Sequence, residues 1–152
     1  MVIGVISDTH GLLRNSALAY LAGVDLIIHA GDMGSESVLA QLREIAPVHA
    51  VLGNVDHGAW TRDYPADTLV QAGGKNIYVL HDRGELDLDP RAAGIDVVIF
   101  GHSHMVFQEV VDGVLYFNPG SAGPRRFQLP ITAGKIILDG AGMEVEVREL
   151  EE

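Results

Sequence analysis

The chain has 152 residues, 21 acidic against 10 basic side chains and a formal charge of −11, which suits one domain spanning residues 1–152 that buries about 68–70% of its unfolded surface. The acidic balance argues against a nucleic-acid partner, whose binding is driven mainly by counterion release from clustered Lys and Arg, and the absence of cysteine excludes disulfides, thiolate nucleophiles, Cys-zinc sites and iron–sulfur clusters. No apolar run approaches the ~18 residues of a membrane span, and Met1 to Asp8 lacks a basic leader segment, so a cytoplasmic protein with no membrane partner is expected.

Residues 2–7 are short, β-branched and mostly apolar, which predicts a buried strand. Asn15 is placed to cap a helix through Ala22, with Leu18, Leu21 and Ala22 on one face and Gly23 as its stop. Residues 25–30 predict a second strand. Ser35 or Ser37 caps a second helix, in which Val38, Leu39, Leu42 and Ile45 recur at helical spacing until Pro47. Residues 48–52 predict a third strand. This β-α-β-α-β order implies parallel neighbours joined by right-handed crossovers.

Thereafter the pattern turns to strands. Residues 68–71 and 76–80 flank Gly73-Gly74, a hairpin signal. Asp89-Pro90 followed by Gly94 leaves room for about one helical turn. Residues 96–100 predict another buried strand. Residues 107–111 and 114–117 flank Asp112-Gly113, and residues 135–138 and 144–147 flank a turn at 139–142, giving two further hairpins. Two sheets packed together, with helices outside, are expected.

The chemistry falls where strands end. Asp8-Thr9-His10-Gly11 follows the first strand, Gly31-Asp32 the second and Gly53-Asn54-Val55-Asp56-His57 the third. His81 follows residues 77–80, and Gly101-His102-Ser103-His104 follows residues 96–100. Ligands of α/β sheets bind beyond the carboxyl ends of strands. Carboxylate, imidazole and amide oxygen are all donors to hard or borderline divalent metals. Each fragment alone has an ordinary explanation as a turn, a cap or a hairpin. Five of them in this order, each at a strand end, point to a metal site.

Together Asp8-x-His10, Gly31-Asp32, Gly53-Asn54, His81 and Gly101-His102-x-His104 resemble the ordered motifs of the calcineurin-like metallophosphoesterases. With Asn118-Pro119-Gly120-Ser121, they are most similar to the small bacterial and archaeal phosphodiesterases of that superfamily. The resemblance implies a four-layer α/β/β/α sandwich of two mixed sheets. It also implies two divalent metal ions, one held by Asp8, His10 and His104 and the other by Asn54, His81 and His102, with Asp32 between them. Manganese is the first expectation, although such N/O donor sets also accept Ni, Fe, Zn or Mg. The implied reaction is in-line attack of a dimetal-bridging hydroxide on a small phosphodiester. Two cations would make the site locally positive within an acidic protein.

Two departures from the family pattern stand out. Many relatives carry a histidine directly after the motif asparagine, where it assists the leaving group; here that position is Val55. Asp56 and His57 are the nearest substitutes as acids. Relatives also commonly read His-Gly-His where this chain has His81-Asp82-Arg83, which alters the loop around the site. Arg83, Arg125 and Arg126 are weaker candidates for phosphate contact. His29 reads as a packed histidine behind the ligands, His49 as a strand histidine, Trp60 as packing, and Glu149, Glu151 and Glu152 as a solvated tail. Three functions compete: a dimetal phosphodiesterase, a monoesterase or nucleotidase, and a scaffold such as the retromer subunit of the same fold. The full set of seven ligands favours an enzyme, and Val55 favours diesters. Homo-oligomerisation is a further expectation from relatives.

Overall fold

A computed structural model of the chain describes residues 1–140 and 142–151. It contains strands β1 (Val2–Ile6), β2 (Leu26–His29), β3 (Val48–Ala50), β4 (Asp67–Ala72), β5 (Lys75–Leu80), β6 (Val97–Ile99), β7 (Val106–Val111), β8 (Val114–Pro119), β9 (Thr132–Asp139) and β10 (Gly142–Glu149), with helices α1 (Asn15–Leu21) and α2 (Glu36–Arg43). One mixed sheet has the order β10-β9-β1-β2-β3, and the other β4-β5-β6-β8-β7. In the first, β1, β2 and β3 run parallel. In the second, β5, β6 and β8 do so.

Strand alternation sorts the core into three layers. Ile3 and Val5 of β1, Ile77 and Val79 of β5, Val97 and Ile99 of β6, and Leu115 and Phe117 of β8 meet between the sheets. Out of phase with them, Ile6 and Ile27 lie on the other face of the first sheet, beneath Leu21 of α1 and Leu39 of α2. On the outer face of the second sheet Tyr78, Leu80, Val98, Phe100 and Tyr116 form a smaller cluster with Leu86 and Leu88. No α-helix covers that cluster among the described residues; the outermost layer there is the segment 82–95, with a single 3-10 turn at Arg83–Glu85. This is the thin layer that Asp89-Pro90 and Gly94 predict.

Element boundaries differ from the sequence expectations in instructive ways. Asn15 is the first residue of α1 rather than its cap; Arg14 holds the cap position, with extended backbone and no side-chain cap bond. Helix α2 stops at Arg43, two residues short of Ile45, because the chain tightens into Ile45 N–H to Leu42 carbonyl bonding ahead of Pro47. Two hairpins have the expected two-residue turns, with positive φ at Gly73 and Gly74 and at Asp112 and Gly113. The third pairs Asp139 with Gly142; within its expected turn, Ala141 lies outside the described residues, as does Glu152 of the expected tail. No helix among the described residues is long and apolar enough to cross a membrane.

The sheets approach closely enough that β9 has no room for a side chain opposite Phe117. A Cβ on Gly134 would lie 2.6 Å from Phe117 Cζ and 3.0 Å from the Glu146 carbonyl. Gly134→Ala is expected to destabilise the fold by about 1–3 kcal/mol, and shortening the ring with Phe117→Leu should recover part of that loss. Urea midpoints of the two single variants and the double variant measure the coupling; strictly additive effects would contradict this contact.

Candidate metal centre

The parallel strands of both sheets deliver their carboxyl ends to one rim. Asp8 follows β1, Asp32 follows β2, Asn54 follows β3, His81 follows β5 and His102 follows β6. Two glycines permit the sheets to meet there. A Cβ on Gly31 would stand 2.6 Å from His81 Nδ1, and one on Gly101 would stand 2.1 Å from Ser7 Oγ and 2.6 Å from Asp8 Oδ2. The ligand backbones are also unusual. Asp8, His10, Asp32, His102 and His104 all have φ between 47° and 75°, a left-handed conformation that costs of order 1–3 kcal/mol each. Asp and His tolerate it better than β-branched residues.

Asp8 is fully buried and its two oxygens have separate tasks. Oδ2 accepts from the Ser7 hydroxyl at 2.7 Å and from the His102 amide at 3.2 Å. Oδ1 has no hydrogen-bond partner, yet Nε2 of His104, His81 and His10 stand 3.5, 3.8 and 3.9 Å from it. Asp32 divides its oxygens the same way: Oδ1 accepts from the Val55 amide, while Oδ2 lies 3.2 Å from His81 Nε2 and 3.7 Å from His10 Nε2. His81 donates through Nδ1 to the Ala30 carbonyl at 2.8 Å, which leaves Nε2 facing Asn54 Oδ1 at 3.1 Å.

These residues fit divalent cations. Donor separations of 3.2–3.9 Å are near the edges, about 3.0–3.4 Å, of a coordination polyhedron with bonds of roughly 2.1 Å. Asp8 Oδ1 and His10 Nε2 are buried polar atoms without partners, an arrangement that is costly unless something positive sits between them. Two overlapping groups could each hold an ion: Asp8, His10 and His104, and Asp8, Asp32 and His81. His102 is set apart from both. Its ring is half exposed, stacked edge-on to His81 at 5.3 Å, with Nε2 3.9 Å from Asp82.

Protonation follows from the same contacts. Burial pushes the Asp8 carboxyl up, against the Ser7 hydrogen bond and the nearby histidines. Burial opposes ionisation of Asp32 too, but the His81 and Val55 hydrogen bonds prevail and bring its pKa to about 2. Burial likewise disfavours a charged His81, and the hydrogen bond to Asp32 and the charge of Asp8 outweigh it, raising its pKa.

The supporting residues are as specific as the ligands. Asp56 is no free acid: its carboxylate accepts from the backbone amides of Met33, Gly34 and Gly53 at 3.2, 2.9 and 3.0 Å, fastening the Asp32 and Asn54 loops together. His57 is exposed and donates through Nδ1 to the Val55 carbonyl. Asn118 donates to the Gly101 carbonyl and accepts from Gly120, while Ser121 donates to the Asp8 carbonyl, so Asn118-Pro119-Gly120-Ser121 is the brace of two ligand loops. Arg83 does not face the site; its guanidinium lies over Tyr116, Phe107 and Phe100. Arg126 is exposed and its charge reaches His104. Trp60 packs against the core on the helical side of the first sheet, edge-on to Tyr64, His49 is exposed on β3, and Glu149 and Glu151 are exposed. Ser7 was given no role by the sequence and Asp82 only a change of loop, since a serine before and an acid after an expected ligand carry no periodic signal.

His29 is buried behind the centre. It accepts from the Gly31 amide through Nδ1 and therefore donates from Nε2 to Thr9 Oγ1, which donates to the Met33 carbonyl. That network holds the neutral ring; burial, with the nearby His81, brings its pKa down to about 3.

Residues 1–140 match the family model of the calcineurin-like phosphoesterase superfamily domain. A probable metallophosphoesterase of Bacillus subtilis is 38% identical over 132 residues, covering 80% of this chain and 75% of the relative. A solved archaeal phosphodiesterase superposes with a TM-score of 0.79 at 26% identity, covering 97% of this chain and 100% of the other. Vps29 of Entamoeba histolytica, solved with zinc, gives a TM-score of 0.75 at 22% identity over 98% and 99% of the two chains, a likeness of fold.

Unfolded, His29 takes up a proton below about pH 6.5, whereas the folded ring resists until about 3. The folded state is therefore penalised as pH falls through that window, by about 1.4 kcal/mol per unit. Urea midpoints of metal-free protein between pH 7 and 4 should fall more steeply for the parent than for His29→Gln; parallel profiles would contradict the neutral buried ring.

Proposed function

Because the chain belongs to the calcineurin-like phosphoesterase superfamily, we propose that it is a phosphodiesterase working with two divalent cations. Asp8, His10 and His104 would hold one, and Asn54, His81 and His102 the other, with Asp32 shared. Such a pair supplies a nucleophile from water near neutral pH and neutralises charge on the phosphoryl oxygens. The observation that carries this reading is the pair of inward-facing oxygens, Asp8 Oδ1, which has no hydrogen-bond partner, and Asp32 Oδ2, which His81 approaches at 3.2 Å, set among the Nε2 atoms of three histidines.

The chain's own groups position that chemistry. The Val55 amide turns Asp32 so that Oδ2 faces His10 and His81, one histidine of each set. The Ala30 carbonyl fixes the His81 ring with Nε2 toward the centre. Asp56 ties Gly53 to the chain after Asp32, holding Asn54 in register.

Protonation of the leaving group is the missing element. Val55 replaces the family histidine, Asp56 is saturated by amides, and His57 is directed at the Val55 carbonyl. A positioned acid contributes about 10²–10⁴-fold, so substrates with stable leaving groups suit this site. An activated aryl diester meets that requirement best, an alkyl diester turns over more slowly, and a dianionic alkyl monoester does not meet it.

Protein loaded with Mn²⁺ is expected to hydrolyse bis-p-nitrophenyl phosphate faster than p-nitrophenyl phosphate, and Asp32→Ala to lose turnover by roughly a hundredfold or more together with two-metal loading. Full metal loading without turnover of any ester would instead favour a scaffold of the Vps29 kind. The pH–rate profiles of the parent and His57→Ala should superimpose; loss of the alkaline limb in the variant would restore His57 as the acid.

A further inference from the structure

Beside Asn54, His81 and His102 the surface opens into a cavity of about 240 Å³. Leu52 and Ala66 give it an apolar part, and Asp82 and Glu85 give it two carboxylates. Among the described residues lining it there is no lysine or arginine.

The loop that carries those carboxylates does contain a cation. Arg83 lies between them in sequence, but its guanidinium is drawn onto the outer face of the second sheet, 4.4 Å from the Tyr116 ring centroid, 5.1 Å from Phe107 and 5.6 Å from Phe100. Rings hold a guanidinium there through their negative faces. The Asp82-Arg83-Gly84-Glu85 turn thus presents its negative charge to the cavity and packs its positive charge away from it. Asp82 is held in place by the Gly84 amide on Oδ1, which leaves Oδ2 toward His102. Arg126, whose charge reaches the site, acts on His104, a member of the other ligand set.

Because Asn54, His81 and His102 line this cavity, it lies within reach of a substituent of a phosphodiester held at the centre. Two carboxylates would repel an anionic substituent and attract a cationic one, while Leu52 and Ala66 accept methyl or methylene groups. Resting on the phosphodiesterase reading, we propose that this cavity selects phosphodiesters of an ammonium alcohol, such as choline or ethanolamine, over those with a neutral or anionic substituent. Asp82 and Glu85 are then the specificity-determining residues.

Equilibrium binding and turnover test this together, in protein supplied with Mn²⁺. Phosphocholine should bind about threefold to tenfold more tightly than glycerol 3-phosphate, the range expected for one or two partly exposed charge pairs. Glycerophosphocholine should be hydrolysed with a higher kcat/KM than glycerophosphoglycerol. Glu85→Gln and Asp82→Asn should each narrow both ratios, and Glu85→Lys should reverse them. Ratios of one in the parent, or ratios untouched by all three variants, overturn the proposal while leaving a phosphodiesterase that hydrolyses both glycerol diesters. No binding of either phosphate and no turnover of any diester overturns both. Soluble glycerophosphocholine and phosphatidylcholine vesicles assayed side by side identify the source of the headgroup, and preference for the cationic group in either supports the assignment.

Discussion

Asp8 is the constraint on which the site depends. It is a carboxylate with no exposed surface, placed where the first sheet ends and the second begins to overlap it. One oxygen is satisfied by Ser7 and by the His102 amide, and this second bond fastens a ligand loop of the far sheet to the first strand. The other oxygen faces three imidazoles and nothing else. A buried charge left in that state is expensive, and a divalent cation resolves the expense in a way that no neighbouring side chain does. The first of these oxygens keeps its bonds because Gly101 has no Cβ to push against it and the Ser7 hydroxyl.

The rest of the fold supplies what such a centre lacks in stability. Five of the expected ligands sit in left-handed backbone, and several polar atoms are buried, so the rim is a net cost. The layers beneath it are apolar and closely packed, with Ile3, Val5, Ile77, Val97, Ile99 and Phe117 fully enclosed or nearly so between the sheets. Rigid strands set the ligand positions, and the loops beyond them are braced by Asn118, Ser121 and Asp56 rather than left to solvent. The thin outer layer on the second sheet places segment 82–95, with its 3-10 turn, where a helix would otherwise pack, and brings Asp82 and Glu85 to the edge of the site.

How much of this the sequence revealed can be judged residue by residue. Strands were legible because alternation of Ile3, Val5 and their counterparts is a local pattern with a period of two. The cluster of expected ligands was legible because its members follow strand ends and most sit beside a glycine, and Gly31 allows the close approach of His81. Helix ends were misplaced by a residue or two, since Asn15 and Ile45 have the right chemistry for a cap and a helical face but the chain turns earlier. The role of Asp56 was not legible: an acid two residues after Asn54 suggests proton transfer, and only the fold reveals three amides converging on it. Arg83 was hidden for the same reason, because its partners Phe100, Phe107 and Tyr116 come from three separated stretches of chain.

The division of labour between the oxygens fixed by Ser7 and backbone amides and those facing the histidines is the central claim, and metal positions test it most directly. Crystals grown with Mn²⁺, measured on either side of the manganese absorption edge, should show two anomalous peaks, one within bonding distance of Asp8, His10 and His104 and the other of Asn54, His81 and His102, with Asp32 shared between them. A site without an anomalous peak at saturating metal, or a peak bound only by exposed carboxylates elsewhere, would contradict it.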